Sequence, residues 1–215
     1  MHEDNKLLVN YIGYKTAVNE FYATPMWGTA AILEEVPLVG SILEPACGEG
    51  HMTAVLQKYY PQNEIVSTDL VEREDKFNCG NLISNVDFLT HNFDRKFNNI
   101  VTNPPFSMMQ KFVKRSLRLA TDKVLMFGNI TFLEAQERLL FHKESPLKYV
   151  YCFSRRCNTY RDGLELDRNG KRWSGSAFYA WYVWEIGYEG EPVIRWLCPD
   201  DEFVSKSDSY RRESK

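Results

Sequence analysis

The sequence predicts an α/β protein: a doubly wound, mostly parallel sheet with an antiparallel edge strand. Short apolar runs alternate with segments of helical period along most of the 215 residues. The first run breaks at a glycine turn that feeds a helix. The last runs are crowded with aromatics, which suit strands pairing antiparallel at an edge.

The elements follow in order. Thr24 fits an N-cap and Pro25 the first position of a helix running to about Val36. Ser41 to Ala46 reads as a short buried strand, Cys47-Gly48-Glu49-Gly50 as its turn, and Met52 to Leu56 as the helix after it. Glu64 to Asp69 is a second strand ending in an acid, Asn85 to Leu89 a third, and Asn99-Ile100-Val101 the apolar run of a fourth that ends at Asn103. Met108 to Ala120 sets Phe112, Val113 and Leu117 on one helix face, and Lys123 to Phe127 is a fifth strand. Phe132 to Phe141 reads as a further helix, and Tyr149 to Phe153 and Ala177 to Ile186 as the aromatic strands. Residues 1–200 thus form one domain with a basic insertion at about 154–176, and residues 201–215 form a polar tail, frayed from Ser205 onward.

Composition narrows the function classes. No run of about 18 apolar residues exists, and the N-terminus lacks the basic and then apolar profile of a secretory signal, so a cytoplasmic protein is expected. The five cysteines and four histidines are scattered, with no C-x-x-C pair, which predicts reduced thiols and no metal site. A net charge of −3 disguises an asymmetry. Residues 1–103 are acid-rich, whereas Arg155, Arg156, Arg161, Lys171 and Arg172 crowd one short stretch, as a face for a polyanion would.

In an open α/β sheet ligands sit beyond the carboxyl ends of the strands, and the chemically suggestive residues fall there. Gly48 and Gly50 let backbone approach a ligand closely. Asp69 ends the second strand, where a carboxylate can accept both ribose hydroxyls. Asp87 can accept from an adenine amino group while Phe88 packs on the ring. Thr102-Asn103-Pro104-Pro105-Phe106 forms an amine-holding device. The Asn103 carboxamide and the Pro104 carbonyl offer two acceptors for the hydrogens of an sp2 amine, Pro105 stiffens the turn, and Phe106 offers a flat face to the ring.

With these parts in this order, the chain resembles the class I S-adenosylmethionine-dependent methyltransferases, and within them the short, phage-type DNA adenine-N6 methyltransferases. The resemblance covers most of residues 21–197, including the closing Trp181-Tyr182-Val183-Trp184-Glu185 and Val193-Ile194-Arg195-Trp196 segments. It implies a Rossmann-like fold and S-adenosylmethionine as cofactor, surrounded by Tyr22, Thr24, Glu44, Ala46, Cys47, Gly48, Gly50, Asp69, Asp87 and Phe88. It implies that Asn103, Pro104, Pro105 and Phe106 hold a base flipped from duplex DNA, and leaves the purpose open among self-protection by restriction-modification, evasion of restriction and gene control. Members with this motif order commonly carry a large target-recognition domain, whereas here about two dozen residues, Ser154 to Ser176, separate the last two predicted strands. Either this basic insertion reads the DNA, or specificity is low, or a partner supplies it.

The same amine grip suits other planar amines: RNA adenine, the guanine amine or a protein glutamine. A rival of another class is an inactive methyltransferase-like subunit that binds nucleic acid, against which the intact glycine turn and Asn103 to Phe106 argue. The acids of Pro199-Asp200-Asp201-Glu202 read as a charged surface turn.

Overall fold

The computed structural model describes residues 20–173 and 177–208. Its strands and helices run β1 (Tyr22–Ala23), α1 (Met26–Glu35), β2 (Ile42–Glu44), α2 (His51–Tyr59), β3 (Ile65–Thr68), β4 (Leu82–Ile83), β5 (Phe97–Thr102), α3 (Met109–Leu119) and β6 (Ala120–Asn129). Then come α4 (Leu139–Glu144), β7 (Leu147–Phe153), β8 (Tyr160–Arg161), β9 (Tyr179–Glu185), β10 (Val193–Leu197) and α5 (Asp201–Asp208).

Eight strands form one sheet in the order β10-β7-β9-β6-β5-β2-β3-β4. All neighbours are parallel except β9, which runs antiparallel to both β6 and β7. The central strands are buried on both faces, and alternate residues serve opposite cores. Val101, Leu125, Phe127, Trp181 and Val183 pack with α1 and α2 on one side, while Ile100, Val124, Met126, Tyr182 and Trp184 pack with α3 on the other. The indole N–H of Trp181 donates to the Gly28 carbonyl at 2.9 Å, tying α1 to β9. Strand order reverses where β2 lies between β3 and β5, so a crevice opens beyond their carboxyl ends.

The predicted class stands, with local differences. The antiparallel strand is the third from its edge, because β7 and then β10 add beyond it. The third strand is β4, earlier than expected. Asn85 takes a left-handed φ of 62°, and the Asp87 carboxylate accepts from the Leu89 N–H at 3.0 Å and the Thr90 hydroxyl at 2.9 Å, folding residues 87–90 into a turn. Within the span expected as a helix from Phe132, 3-10 turns occupy Ile130–Leu133 and Gln136–Arg138, and α4 begins only at Leu139. Ala135 has φ 112° there, and the Arg138 guanidinium takes the Phe132, Thr131 and Glu134 carbonyls.

Two end effects also differ. Helix α1 starts at Met26 with Pro25 at the cap position and no side-chain cap, so Thr24 is not its N-cap. The polar tail begins as α5 instead of fraying: Asp200 accepts from the Phe203 N–H at 2.7 Å, and Asp201 and Glu202 lie in the first turn, where acids suit the helix dipole. Residues 209–215 and 174–176 lie outside the described residues. No helix among the described residues is long and apolar enough to cross a membrane.

Candidate active site

A cavity of about 320 Å³ fills the crevice, a volume that suits a small-molecule ligand. Its polar end is built on the turn after β2. Gly48 and Gly50 take φ values of 56° and 87°, a region that favours glycine. The Cys47 N–H donates to the Thr68 carbonyl at 3.0 Å and the Gly48 N–H to Asp69 Oδ2 at 2.8 Å, which locks the turn against the end of β3. A side chain at Gly48 would collide with the Phe21 ring, itself covered by the Arg73 guanidinium 4.3 Å from its centroid.

Asp69 Oδ1 accepts from the Val71 N–H at 2.8 Å and lies 4.0 Å from Arg73 Nε. Each Asp69 oxygen therefore holds one backbone donor and keeps acceptor capacity for a ligand hydroxyl. Glu44 is 2% exposed; Thr53 donates to its Oε2 and sits 2.8 Å from the Ser67 hydroxyl. Burial pushes the Glu44 carboxyl up to about 8, against the Thr53 hydrogen bond and with help from the Asp69 charge. Burial likewise pushes the Cys47 thiol upward, so Cys47 behaves as a small packing residue.

Leu70, Val71, Val86, Phe88 and Leu89 make the apolar wall beside this end. Phe88 is anchored in the core 4.9 Å from Phe112. Asp87 lines the cavity, though both its oxygens already accept bonds from its own turn. Thr24 is 3% exposed, lines the cavity, and its hydroxyl has no hydrogen-bond partner. A glycine turn, a carboxylate, an apolar slot and an unpaired hydroxyl together fit an adenosyl ligand with a polar tail.

At the other end stands Asn103, just beyond β5. Its Nδ2 donates to the Tyr22 carbonyl at 2.6 Å, and its Oδ1 is buried without a hydrogen-bond partner. Pro104 is buried, and the Pro105 carbonyl is spent on the Met108 N–H at 2.9 Å, which starts the 3-10 turn Phe106–Met108. The Phe106 ring stacks on Tyr22 at 5.7 Å and meets Tyr179 at a tilt at 5.6 Å; neither it nor Pro104 lines the cavity, which Asn103 and Pro105 do. Tyr179 and Phe21 are contributors that sequence reasoning missed. Phe21 adjoins the Thr24-Pro25 segment and was within reach, but Tyr179 reaches Phe106 only through the β6–β9 pairing.

The basic insertion meets this site through backbone. Strand β8 pairs antiparallel with β1, setting Arg161 opposite Tyr22 and Tyr160 opposite Ala23. Lys76 Nζ bridges Glu49 Oε2 at 3.2 Å and the Gly163 carbonyl at 3.0 Å, so the insertion is also fastened to the glycine turn. Arg155 pairs with Asp201 at 2.8 Å, Arg161 with Asp162 at 3.6 Å and Arg172 with Glu165 at 3.6 Å; Arg156 lies over Phe178, and Lys171 is exposed. None of the five lines the main cavity. Among the described residues no group of His, Cys, Asp and Glu side chains is arranged to hold a metal.

The model of the methyltransferase small domain matches residues 26–139, over half of the chain. No curated protein matches it. Among solved structures, one from Listeria monocytogenes described as a class I S-adenosylmethionine-dependent methyltransferase superposes with a TM-score of 0.59 at 12% identity, over 97% of this chain and 77% of that one. The type I restriction-modification methyltransferase subunit of Streptococcus thermophilus gives 0.59 at 11% identity, over 98% of this chain and 57% of that one. The M protein of the type I restriction enzyme EcoKI gives 0.59 at 11% identity, over 84% and 51%. At such identities the likeness is one of fold.

Proposed function

The chain belongs to the methyltransferase small domain family, and we propose that it methylates the exocyclic amine of adenine in DNA, as one domain with the insertion serving target binding. S-adenosylmethionine is the cofactor of this family's chemistry and brings an electrophilic methyl group on a sulfonium. Glu44, Asp69, Thr24 and the Cys47–Gly50 turn would hold it, with Phe88 and its neighbours against the adenine and Ala46, Asp87 and Tyr22 at the margins.

The observation that carries the reading is the Asn103 carboxamide. Its N–H side is committed to the Tyr22 carbonyl, so the amide cannot turn round, and its buried Oδ1 is left as an acceptor. A buried acceptor without a donor is costly, by about 1–3 kcal/mol, unless a ligand completes it. An aromatic amine supplies two hydrogens: one for Asn103 Oδ1 and one for the Pro104 carbonyl. Accepting both favours a pyramidal nitrogen with its lone pair free, an interaction that grows toward the transition state. Phe106, backed by Tyr179, holds the ring flat, and the task left to the protein is alignment. The base must leave the duplex to reach this site, at a few kcal/mol, which stacking and phosphate contacts offset.

Side-by-side transfer of labelled methyl groups to duplex DNA, tRNA, ribosomal RNA and protein tests the substrate. Label in DNA alone supports the proposal. Label in RNA or protein alone would move the same amine grip to that substrate, and a protein that binds the cofactor but labels nothing would point to an inactive subunit.

A further inference from the structure

The insertion holds a second cavity, of about 120 Å³, lined by Arg155, Arg156 and Arg172 with Asn158, Tyr160 and Trp173. We propose that this cavity binds a single backbone phosphate of the nucleic-acid strand whose base enters the main cavity. The inference rests on the DNA reading above, and it selects three of the five basic residues of the insertion while leaving Arg161 and Lys171 outside.

The volume leaves room for one phosphate group, being several times the roughly 10–15 Å³ that a single water needs. Three guanidiniums face one carboxylate in the lining, Glu165, so the cavity is cationic. Their existing ion pairs yield readily. The side chains of the Arg155–Asp201 pair are 38% and 94% exposed and those of the Arg172–Glu165 pair 80% and 29%; ion pairs open to solvent on one side contribute little, about 0–1 kcal/mol. A phosphate accepts through several oxygens and matches the planar fork of arginine, so exchanging a wet carboxylate for it is favourable. The Arg156 guanidinium lies 4.6 Å from the centroid of the exposed Phe178 ring, a cation–π contact that helps to orient it.

Position strengthens the inference. The two cavities share the segment before α1: Thr24 lines the main one and Pro25 the second. Tyr160 lines the second cavity and pairs through β8 with Ala23, next to the Tyr22 whose carbonyl holds Asn103. Adjacent strands lie about 4.8 Å apart. A phosphate anchored here is thus held by the same ribbon that orients the amine acceptor.

The test measures binding of a DNA duplex and an RNA hairpin by wild type and by Arg155→Gln, Arg156→Gln and Arg172→Gln, each across a salt series, with thermal melts confirming that every variant folds. Arg118→Gln on α3 and Lys143→Gln on α4 are charge controls. Each cavity variant should lose roughly tenfold or more in affinity, as for a charge-assisted hydrogen bond, and the salt slope should flatten by about one; the controls should lose far less. Losses confined to the RNA arm would sustain the phosphate cavity while overturning DNA as the substrate. Equal losses in cavity variants and controls, with wild type binding DNA, would overturn the cavity while leaving the DNA reading intact. Wild type binding neither would overturn both.

Discussion

Asn103 and Tyr22, 81 residues apart, are joined by a 2.6 Å hydrogen bond from the Asn103 Nδ2 to the Tyr22 carbonyl. That bond fixes which way the carboxamide faces and joins the end of β5 to the strand that pairs with the insertion.

Asn103→Ala removes the acceptor and the tie together. Transfer should fall by ~10²–10³, the scale on which losing one transition-state hydrogen bond is felt, while S-adenosylmethionine binding by calorimetry changes little. Asn103→Asp keeps an acceptor but turns a carboxylate toward the Tyr22 carbonyl, so it should rescue transfer only weakly.

Phe106→Ala should weaken productive base binding by about 1–3 kcal/mol, the range for one base–aromatic stack. Phe106→Tyr should retain most activity. A rise in KM for DNA with an unchanged KM for cofactor is the expected kinetic signature, since Phe106 lies against Tyr22 beside Asn103 and does not line the cavity that would hold the cofactor.

Glu44 makes the stability depend on pH in a defined direction. Its carboxyl titrates near 8 in the folded protein, mainly because burial disfavours the charge, and near 4.3 when unfolded. Between these values the folded state binds more protons, so stability falls as pH rises, by up to about 1.4 kcal/mol per unit. The contribution is complete below pH ~4.3 and gone above pH ~8. Denaturant unfolding from pH 5 to 9 should show this slope in wild type and lose this component in Glu44→Gln.

Legibility of the fold followed the period of the sequence. The strands β2, β3, β5 and β6 have apolar runs bounded by turn residues, and their ends were read to within a few residues because a strand buried on both faces has no polar alternation to confuse. Side-chain competition with the backbone hid the rest. The Asp87 carboxylate folds its own segment into a turn, and Arg138 takes carbonyls that a helix would have used. In the candidate site, the expected residues at strand ends, Glu44, Cys47, Asp69 and Asn103 among them, do line the cavity, because each sits in a motif of chain neighbours. Tyr179 was not legible, since only the antiparallel pairing of β9 with β6 brings it to Phe106. The division of the basic stretch was equally hidden: which arginines share a cavity depends on the fold of the insertion back onto Pro25 and Trp27.

Trp181→Phe should destabilise the fold by roughly 2 kcal/mol, because the Gly28 carbonyl loses its indole donor and the smaller ring leaves a void among fully buried side chains. Equilibrium unfolding of the two proteins measures it directly.

The measurement that bears most directly on the account is transfer from labelled S-adenosylmethionine to unmethylated duplex DNA, digested to nucleosides, for wild type and Asn103→Ala. Wild type should yield labelled N6-methyladenosine, and Asn103→Ala should lose it. Label in another nucleoside, or N6-methyladenosine formed equally by Asn103→Ala, would contradict it.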